Sequence, residues 1–186
     1  MESQLIVCVD GLIGAGKSTL LKRISKNYSC FPEPLSEWNL LPKLYENPKE
    51  FGLAFEIQVL ISQFKQKHEF PNTLVFVERC PWTTYHIFNP LILTEEEICF
   101  FDLLYKRYAY KVDYFIYLDI EPSKAFERIQ KRSATDQKIS LDYLNKLYDQ
   151  YKSKLLSLPN VLCVIDANKS QEEIEHQVMQ AVKTLV

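Results

Sequence analysis

The sequence predicts an α/β fold with a parallel sheet of about five strands and helices on both faces. The first observation is that residues 5–9, 74–77 and 114–118 are continuously apolar, which is typical of strands buried on both faces of a sheet. The second is that longer segments between them carry apolar residues at helical spacing. The third is that a glycine-rich turn joins the first apolar segment to the first helical one. Strands that alternate with helices in this way favour a parallel sheet.

Local signals set the expected bounds of each element. Thr94 is a predicted N-cap, Pro122 is placed near a helix start, and prolines between residues 32 and 42 interrupt regular structure. The expected strands cover residues 5–9, 74–77, 113–119 and 161–165, and the expected helices cover residues 17–26, 51–70, 95–110, 122–132, 141–158 and 171–185.

Composition indicates one globular domain over residues 1–186. The chain has 47% hydrophobic and 25% charged residues, a balance that excludes the disordered class. Its formal net charge of −2 gives no reason to expect a nucleic-acid polymer as partner. A phosphate-binding site, if present, must therefore be local.

Cysteine usage and the first residues bear on the compartment. The cysteines are five in number, widely spaced, and form no C-x-x-C pair, which argues against a disulfide framework or a zinc cluster. The apolar run over residues 5–9 is too short for a signal peptide or a membrane span. We therefore expect a cytoplasmic protein with no membrane partner.

The glycine-rich turn matches the phosphate-binding pattern G-x-x-x-x-G-K-[ST]. It follows a predicted buried strand and opens a predicted helix, which is the context that this motif requires. Its backbone N–H groups and the helix N-terminus attract phosphate oxygens. Lys17 can reach the β- and γ-phosphates of ATP, and the Ser18 hydroxyl can bind Mg²⁺. The candidate phosphate-binding residues are Gly11, Gly14, Ala15, Gly16, Lys17, Ser18 and Thr19.

The phosphate-binding motif alone does not distinguish a kinase from a GTPase or a motor ATPase. The sequence contains no N-K-x-D guanine signature and no D-x-x-G after the second predicted strand. The sequence therefore favours a GTPase less than the other two classes.

Several further motifs occur in a fixed order along the chain. They are Glu33-Pro34 with Trp38, Tyr45 before Asn47-Pro48, Glu78-Arg79 at the end of a predicted strand, residues 114–119, and Phe126-Glu127-Arg128-Ile129 before Lys131-Arg132. Over residues 5–166 the sequence thereby resembles the deoxyribonucleoside kinase family, which includes thymidine, deoxycytidine and deoxyguanosine kinases. This resemblance implies ATP-dependent, Mg²⁺-dependent phosphorylation of a nucleoside 5′-hydroxyl in nucleotide salvage, and a homodimer.

The resemblance also implies roles for charged residues. A carboxylate can accept the proton of a 5′-hydroxyl, and Glu33 stands at the family's position for this base. Arg79 is expected to contact the 5′ side and hold Glu33, and Glu78 to organise the Mg²⁺ shell. Arg128 and Arg132 are four apart on the helix leading into a short lid, where they share a face and can stabilise the transferred phosphoryl group. A further family arginine is replaced here by Ala134.

Other positions match the family's sugar and base contacts. Tyr45 and Asp136 are expected at the deoxyribose 3′-hydroxyl, with Gln137 as the competing candidate for the second position. Packing against the base is expected from Trp38, together with Phe76 or Phe88.

Two positions give conflicting signals about base preference. Where the family commonly has Gln, this chain has Glu56, and an ionised Glu only accepts hydrogen bonds. It therefore suits guanine or the cytosine amino group unless burial protonates it. Thr84 stands where purine- and cytosine-preferring members usually have Asp, and thymidine-preferring members have a small residue. The preferred base stays open at this point.

Two other functions compete with the nucleoside kinase. One is a nucleoside monophosphate kinase of the thymidylate type, which typically carries an Asp-Arg pair after its third strand and extra arginines for the acceptor phosphate. This chain has Glu78-Arg79 and few basic residues between Trp38 and Phe64. The other is a nucleotide-binding regulator without transfer activity, against which the intact Lys17 and Glu33 argue.

Overall fold

Parallel strands form the centre of the molecule. The computed structural model describes residues 4–132 and 138–185. Within these residues, one five-stranded sheet has the order β2-β3-β1-β4-β5, and every neighbouring pair is parallel. The strands are β1 (Leu5–Gly11), β2 (Ser29–Phe31), β3 (Leu74–Glu78), β4 (Tyr114–Asp119) and β5 (Val161–Asp166). The predicted α/β fold class is confirmed.

Helices connect the strands. In chain order they are α1 (Lys17–Ile24), α2 (Leu41–Glu46), α3 (Pro48–Lys67), α4 (Pro81–Thr83), α5 (Asn89–Ile92), α6 (Glu95–Tyr108), α7 (Pro122–Gln130), α8 (Leu141–Gln150) and α9 (Gln171–Val182). Thr84–Phe88 and Tyr151–Leu155 are π-helical turns, and Leu35–Glu37 is a 3₁₀ turn. No helix in the described part of the chain is long and apolar enough to cross a membrane.

The sheet is covered on both faces. Successive side chains of a strand point to opposite faces, yet nearly every residue of β1, β3 and β4 is buried. The continuous apolar runs in the sequence arise from this burial. The edge strand β5 is only partly buried.

Helix bounds follow their capping residues. Thr94 accepts a hydrogen bond from Glu97 N, which confirms it as the predicted N-cap of α6, and the Glu97 carboxylate accepts from Thr94 N, which completes a capping box. Ser170 makes the equivalent pair with Glu173 at the start of α9.

Several elements differ from the sequence-based expectation. Strand β2, helix α2 and the helical turns over residues 81–92 were not predicted. Helix α7 ends at Gln130, so the expected helix to Arg132 is too long by two residues. The arginines at 128 and 132 therefore do not share a helix face, which corrects that expectation. The expected lid falls mainly on residues 133–137, outside the described residues.

Candidate active site

One cavity of about 430 Å³ collects most of the predicted site residues. This volume lies in the range of small-molecule pockets. One part of its lining comes from the phosphate-binding loop and α1: Ile13, Gly14, Gly16, Lys17, Ser18 and Thr19. A second part is charged and comprises Glu33, Glu78, Arg79 and Arg132. A third part is mostly apolar and includes Trp38, Tyr45, Phe55, Glu56, Thr84, Phe88 and Tyr143.

Glycines give the loop its shape because the chain passes close to neighbouring backbone. Gly11 has φ +146°, and a Cβ atom there would lie 2.5 Å from Leu118 O in β4. Gly14 has φ +86°, and its Cβ would lie 2.9 Å from Ala125 O in α7. Side chains at these positions are excluded by both conformation and contact.

Lys17 is buried at the start of α1 and lies along the loop. Its Nζ donates to Gly11 O at 3.2 Å and Leu12 O at 2.9 Å. The pKa of Lys17 is lowered to about 8, mainly by burial and in addition by the neighbouring Arg79, while Glu78 has the opposite effect. A phosphate group beside this ammonium would favour its charged form.

The Ser18 hydroxyl donates to Glu78 Oε1 at 3.0 Å. Mg²⁺ binds oxygens at about 2.0–2.1 Å in octahedral geometry, so two neighbouring ligand oxygens lie about 3 Å apart. The Ser18 and Glu78 oxygens fit that spacing. No group of three or more His, Cys, Asp or Glu side chains in the described residues is arranged to hold a metal. Mg²⁺ commonly keeps several waters and binds through one or two protein oxygens together with substrate phosphates.

Arg79 holds Glu33. Its Nη1 donates to both carboxylate oxygens of Glu33, at 2.8 and 2.7 Å. Its Nη2 donates to Gly11 O at 3.2 Å, which ties the pair to the phosphate-binding loop. The guanidinium carbon lies 5.0 Å from the centre of the Phe88 ring, a cation–π contact. Arg79 has φ +56°, a rare conformation for a side-chain-bearing residue that directs it from the end of β3 into the cavity.

A buried carboxylate lies behind Arg79. Asp10 Oδ1 lies 3.8 Å from Arg79 Nε and accepts hydrogen bonds from Tyr151 Oη at 2.7 Å and Gly11 N at 2.8 Å. The Thr83 hydroxyl donates to the other Asp10 oxygen. Burial raises the pKa of Asp10, although Arg79 and these donors oppose that effect. Burial disfavours the charged form of Arg79 as well, but the surrounding Glu33, Tyr151 and Asp10 raise its pKa overall.

The apolar part of the cavity rests on a cluster of Trp38, Leu44, Phe55 and Val59. Trp38 meets the Phe55 ring edge-on at 5.7 Å and donates from Nε1 to Ser62 Oγ at 2.9 Å. This hydrogen bond fixes the indole plane beside the cavity. Tyr45 from α2 and Tyr143 from α8 also line it.

Glu56 brings a carboxyl group to this apolar part. The residue is 2% exposed, and the pKa of Glu56 is raised to about 8, mainly by burial and in addition by the nearby Glu33. With the Asn89 amide oriented to satisfy its neighbours, Asn89 Nδ2 donates to Glu56 Oε2 at 3.1 Å and to Thr84 O at 3.0 Å. The Thr84 hydroxyl lies 3.5 Å from Gln63 Oε1.

Other predicted residues lie elsewhere. Phe76 packs in the core against Tyr28 and does not line the cavity, whereas Phe88 does. The Arg128 guanidinium donates to Ala167 O at 2.9 Å and Gly14 O at 3.5 Å, which connects the phosphate-binding loop to the residue after β5. The expected sugar contacts Asp136 and Gln137, and Ala134, lie outside the described residues.

Sequence reasoning missed four polar residues of this region. Asp10 could have been found, because it directly follows the buried apolar run 5–9 and precedes the phosphate-binding motif, at the edge where ligands bind in parallel sheets. Tyr151, Asn89 and Tyr143 carry no local signal, since each reaches this region only through the tertiary fold.

Comparison with known proteins decides the family. The family model described as "Deoxynucleoside kinase" matches residues 7–186. This chain belongs to the deoxynucleoside kinase family. Family membership makes the chain a nucleoside kinase-type phosphotransferase and favours that function over the competing nucleoside monophosphate kinase.

Individual relatives agree with this family. The chain is 42% identical over 194 residues to protein 143R of Invertebrate iridescent virus 6, provisionally named a kinase, with 97% of this chain and 98% of the relative covered. It is 28% identical over 193 residues to the deoxyadenosine kinase of Dictyostelium discoideum, with 95% and 77% covered.

A solved structure supports the fold of this family member. The deoxyadenosine kinase of M. mycoides, solved with the products dCMP and a flexible dCDP bound, superimposes with a TM-score of 0.83. It covers 98% of this chain and 100% of its own, at 22% sequence identity.

Proposed function

We propose that this chain transfers the γ-phosphoryl group of ATP to the 5′-hydroxyl of a deoxyribonucleoside. The observation that carries the proposal is that a phosphate-binding loop, the Glu33–Arg79 ion pair and an apolar pocket line one cavity. A nucleoside needs these three environments in this combination: charge at the transferred phosphoryl group, a proton acceptor at the hydroxyl, and apolar surfaces at the base.

In the proposed reaction, Glu33 accepts the proton of the 5′-hydroxyl as its oxygen attacks the γ-phosphorus. The bond between that phosphorus and the β,γ-bridging oxygen breaks, which gives ADP and the nucleoside 5′-monophosphate. Arg79 orients Glu33 through two hydrogen bonds of 2.8 and 2.7 Å and supplies positive charge beside the reacting oxygens. Arg79 also donates to Gly11 O, so the Glu33–Arg79 pair is attached to the phosphate-binding loop.

The phosphate side of the cavity supports ATP as donor. Loop N–H groups and Lys17 would bind the β- and γ-phosphates, and Arg132 lines the same cavity. Arg128 donates to the Gly14 carbonyl, so we propose that its positive charge acts on the ATP phosphates from beside the phosphate-binding loop. Ser18 and Glu78 would hold Mg²⁺, which neutralises developing negative charge on the phosphoryl oxygens.

The opposite side of the cavity supports a deoxyribonucleoside as acceptor. Trp38 and Phe88 supply flat apolar surfaces for a base, and Tyr45 would contact the sugar hydroxyl. The role of Asp136 or Gln137 at the 3′-hydroxyl stays a prediction.

We further propose a homodimer that acts in cytoplasmic nucleotide salvage. Phe100 and Leu103 on α6 are 51% and 65% exposed, and neighbouring exposed apolar side chains favour a protein–protein contact. The five free cysteines support a reducing compartment.

A substrate panel tests the function. Purified protein is incubated with ATP and Mg²⁺ and, in separate reactions, with each of the four deoxynucleosides and with dTMP. We expect ADP and a 5′-monophosphate in equal amounts from at least one deoxynucleoside, and no diphosphate from dTMP. Formation of dTDP alone would support a monophosphate kinase, and the absence of transfer to every acceptor would support a regulator.

A further inference from the structure

A buried carboxyl group in the cavity has no part in the proposed phosphoryl transfer. Glu56 lines the apolar part of the cavity, 2% exposed, on the long helix α3. A carboxyl group so deeply buried is costly unless it is neutral or well paired. The hydrogen bonds and charges around Glu56 therefore decide which form it takes.

The surroundings of Glu56 do not support an ionised carboxylate. An ionised carboxylate has about four acceptor positions. In the described residues, the one donor to it is Asn89 Nδ2, at 3.1 Å from Oε2. No Lys or Arg in those residues forms an ion pair with Glu56, and the nearby Arg79 is already committed to Glu33 through two hydrogen bonds.

The other titratable groups around Glu56 act in the same direction. Burial is the main cause that raises the pKa of Glu56, and the Glu33 carboxylate raises it in addition. Arg79 lowers this pKa but only partly offsets the two. From α8, Tyr143 faces this region, and burial together with Glu56 raises the pKa of its phenol, so it stays neutral. With a pKa of about 8, the Glu56 carboxyl group carries a proton at neutral pH.

We propose that Glu56 contacts the substrate base as a neutral carboxylic acid, so that the base preference of this kinase depends on its protonation. This inference rests on the proposed function. Because Oε2 accepts from Asn89, the proton belongs on Oε1, which has no hydrogen-bond partner among the described residues. Glu56 then presents one O–H donor and one carbonyl acceptor, as an amide side chain does.

The two forms of Glu56 select different bases. All four bases offer an acceptor next to an N–H donor, so the neutral acid pairs with each of them. The ionised form only accepts, and guanine alone offers two adjacent donors, N1–H and N2–H₂. Thymine offers N3–H between two carbonyl acceptors, so kcat/KM for thymidine should fall most when Glu56 ionises. The kinase should therefore accept a broad range of deoxynucleosides when Glu56 is neutral, and should prefer deoxyguanosine when Glu56 is ionised.

The test compares deoxyguanosine with thymidine in wild type and Glu56→Gln at two pH values. The ratio of their kcat/KM values is measured at about pH 6.5 and about pH 8.8, on either side of the Glu56 transition. Lys17 also titrates in this range, but its effect falls on ATP and cancels in the ratio. We expect the wild-type ratio to rise by about fivefold or more in favour of deoxyguanosine, the scale of one lost polar contact. Glu56→Gln should show no such change, and Glu50→Gln, an exposed control on the same helix, should behave as wild type.

An independent readout separates this inference from the proposed function. The protein is labelled with ¹³C at the Glu side-chain carboxyl, and the signal absent from Glu56→Gln is followed with pH. We expect that signal in its neutral position at about pH 6.5 and a transition near pH 8. An ionised signal at about pH 6.5, or a ratio that is constant in wild type or equally variable in Glu56→Gln, would overturn the inference. If no deoxynucleoside is phosphorylated, the proposed function fails, and calorimetric binding of the same two nucleosides replaces kcat/KM.

Discussion

Arg79 Nη1 donates to both carboxylate oxygens of Glu33, at 2.8 and 2.7 Å, and this contact joins two segments that are 46 residues apart. Glu33 lies after the edge strand β2, in a segment with little regular structure. Arg79 lies at the end of the buried strand β3. The ion pair therefore fixes a carboxylate from a less regular segment against the rigid centre of the sheet, beside the phosphate-binding loop.

Replacing Arg79 tests this positioning. Arg79→Lys keeps one positive charge but cannot contact Glu33, Gly11 O and Asp10 together, because an ammonium lacks the planar fork of donors. We expect kcat to fall about tenfold or more, with a smaller change in the nucleoside KM. Steady-state kinetics would measure both parameters. An unchanged kcat would show that the positive charge alone is sufficient, without the separate contacts of the guanidinium to Glu33, Gly11 O and Asp10.

Tyr151→Phe tests the buried carboxylate behind Arg79. The variant removes the hydrogen bond of 2.7 Å to Asp10 and leaves a buried acceptor less satisfied. We expect the free energy of unfolding to fall by about 1–3 kcal/mol. Urea denaturation would measure this change. Tyr28→Phe is the control, since the Tyr28 hydroxyl has no hydrogen bond in the described structure, and it should change stability by much less. Equal effects in both variants would argue against a specific role for the Tyr151–Asp10 contact.

Proton uptake on ATP binding tests the position of Lys17. Because the pKa of Lys17 is about 8 in the ligand-free protein, most of its side chains are neutral at about pH 8.5. Phosphate oxygens would favour the ammonium form, so binding should take up a substantial fraction of one proton. Calorimetry in two buffers of different ionisation enthalpy would measure the uptake. The exposed-site variant Lys22→Met should retain it and Lys17→Met should lose it, whereas retention in Lys17→Met would contradict this assignment.

The lowered pKa of Lys17 also predicts how the free energy of unfolding changes with pH. The pKa of Lys17 in the folded protein lies below its ordinary value of 10.5. Between pH 8 and 10.5 the unfolded chain therefore binds more protons at this position, and its contribution to the free energy of unfolding rises with pH. Relative to Lys17→Met, the ligand-free wild type should gain stability across this window. A difference that is flat or falls with pH would contradict the lowered pKa.

The proposed dimer makes a prediction about α6. Replacing Leu103, which is 65% exposed, with Lys would place a charge in the contact that we propose. We expect wild type to have the mass of a dimer in light scattering and Leu103→Lys to have the mass of a monomer, with an unchanged circular dichroism spectrum. At about 50 μM protein, a dimer with a micromolar Kd would be largely formed. A wild type that is monomeric at this concentration would argue against the dimer.

Much of the fold follows from sequence because local signals and tertiary structure agree. Residues of β1, β3 and β4 are buried on both faces, so their apolar runs are continuous and unambiguous. Strand β2 is three residues long and only partly buried, and it gives no comparable signal. Its place in the sheet depends on pairing with β3, which no local pattern encodes.

In the candidate site, too, some residues could be predicted from sequence and others could not. The phosphate-binding loop could be predicted from spacing, because backbone geometry and phosphate chemistry fix its residues together. Glu33 and Arg79 needed the family resemblance, since each alone is an ordinary charged residue. The Tyr151–Asp10 contact joins residues 141 apart, and the Asn89–Glu56 contact depends on side-chain packing. Such contacts emerge only from the folded structure.

The turnover of Glu33→Gln shows directly whether Glu33 is the base that accepts the proton of the 5′-hydroxyl. This substitution preserves shape but removes the proton acceptor, and it is compared with Glu37→Gln, a nearby exposed control. We predict that Glu33→Gln lowers kcat for nucleoside phosphorylation by about 10²-fold or more, with a much smaller change in nucleoside KM, while Glu37→Gln stays within about twofold of wild type. A Glu33→Gln kcat within a few-fold of wild type would show that Glu33 is not the base and would leave Glu78 as the next candidate.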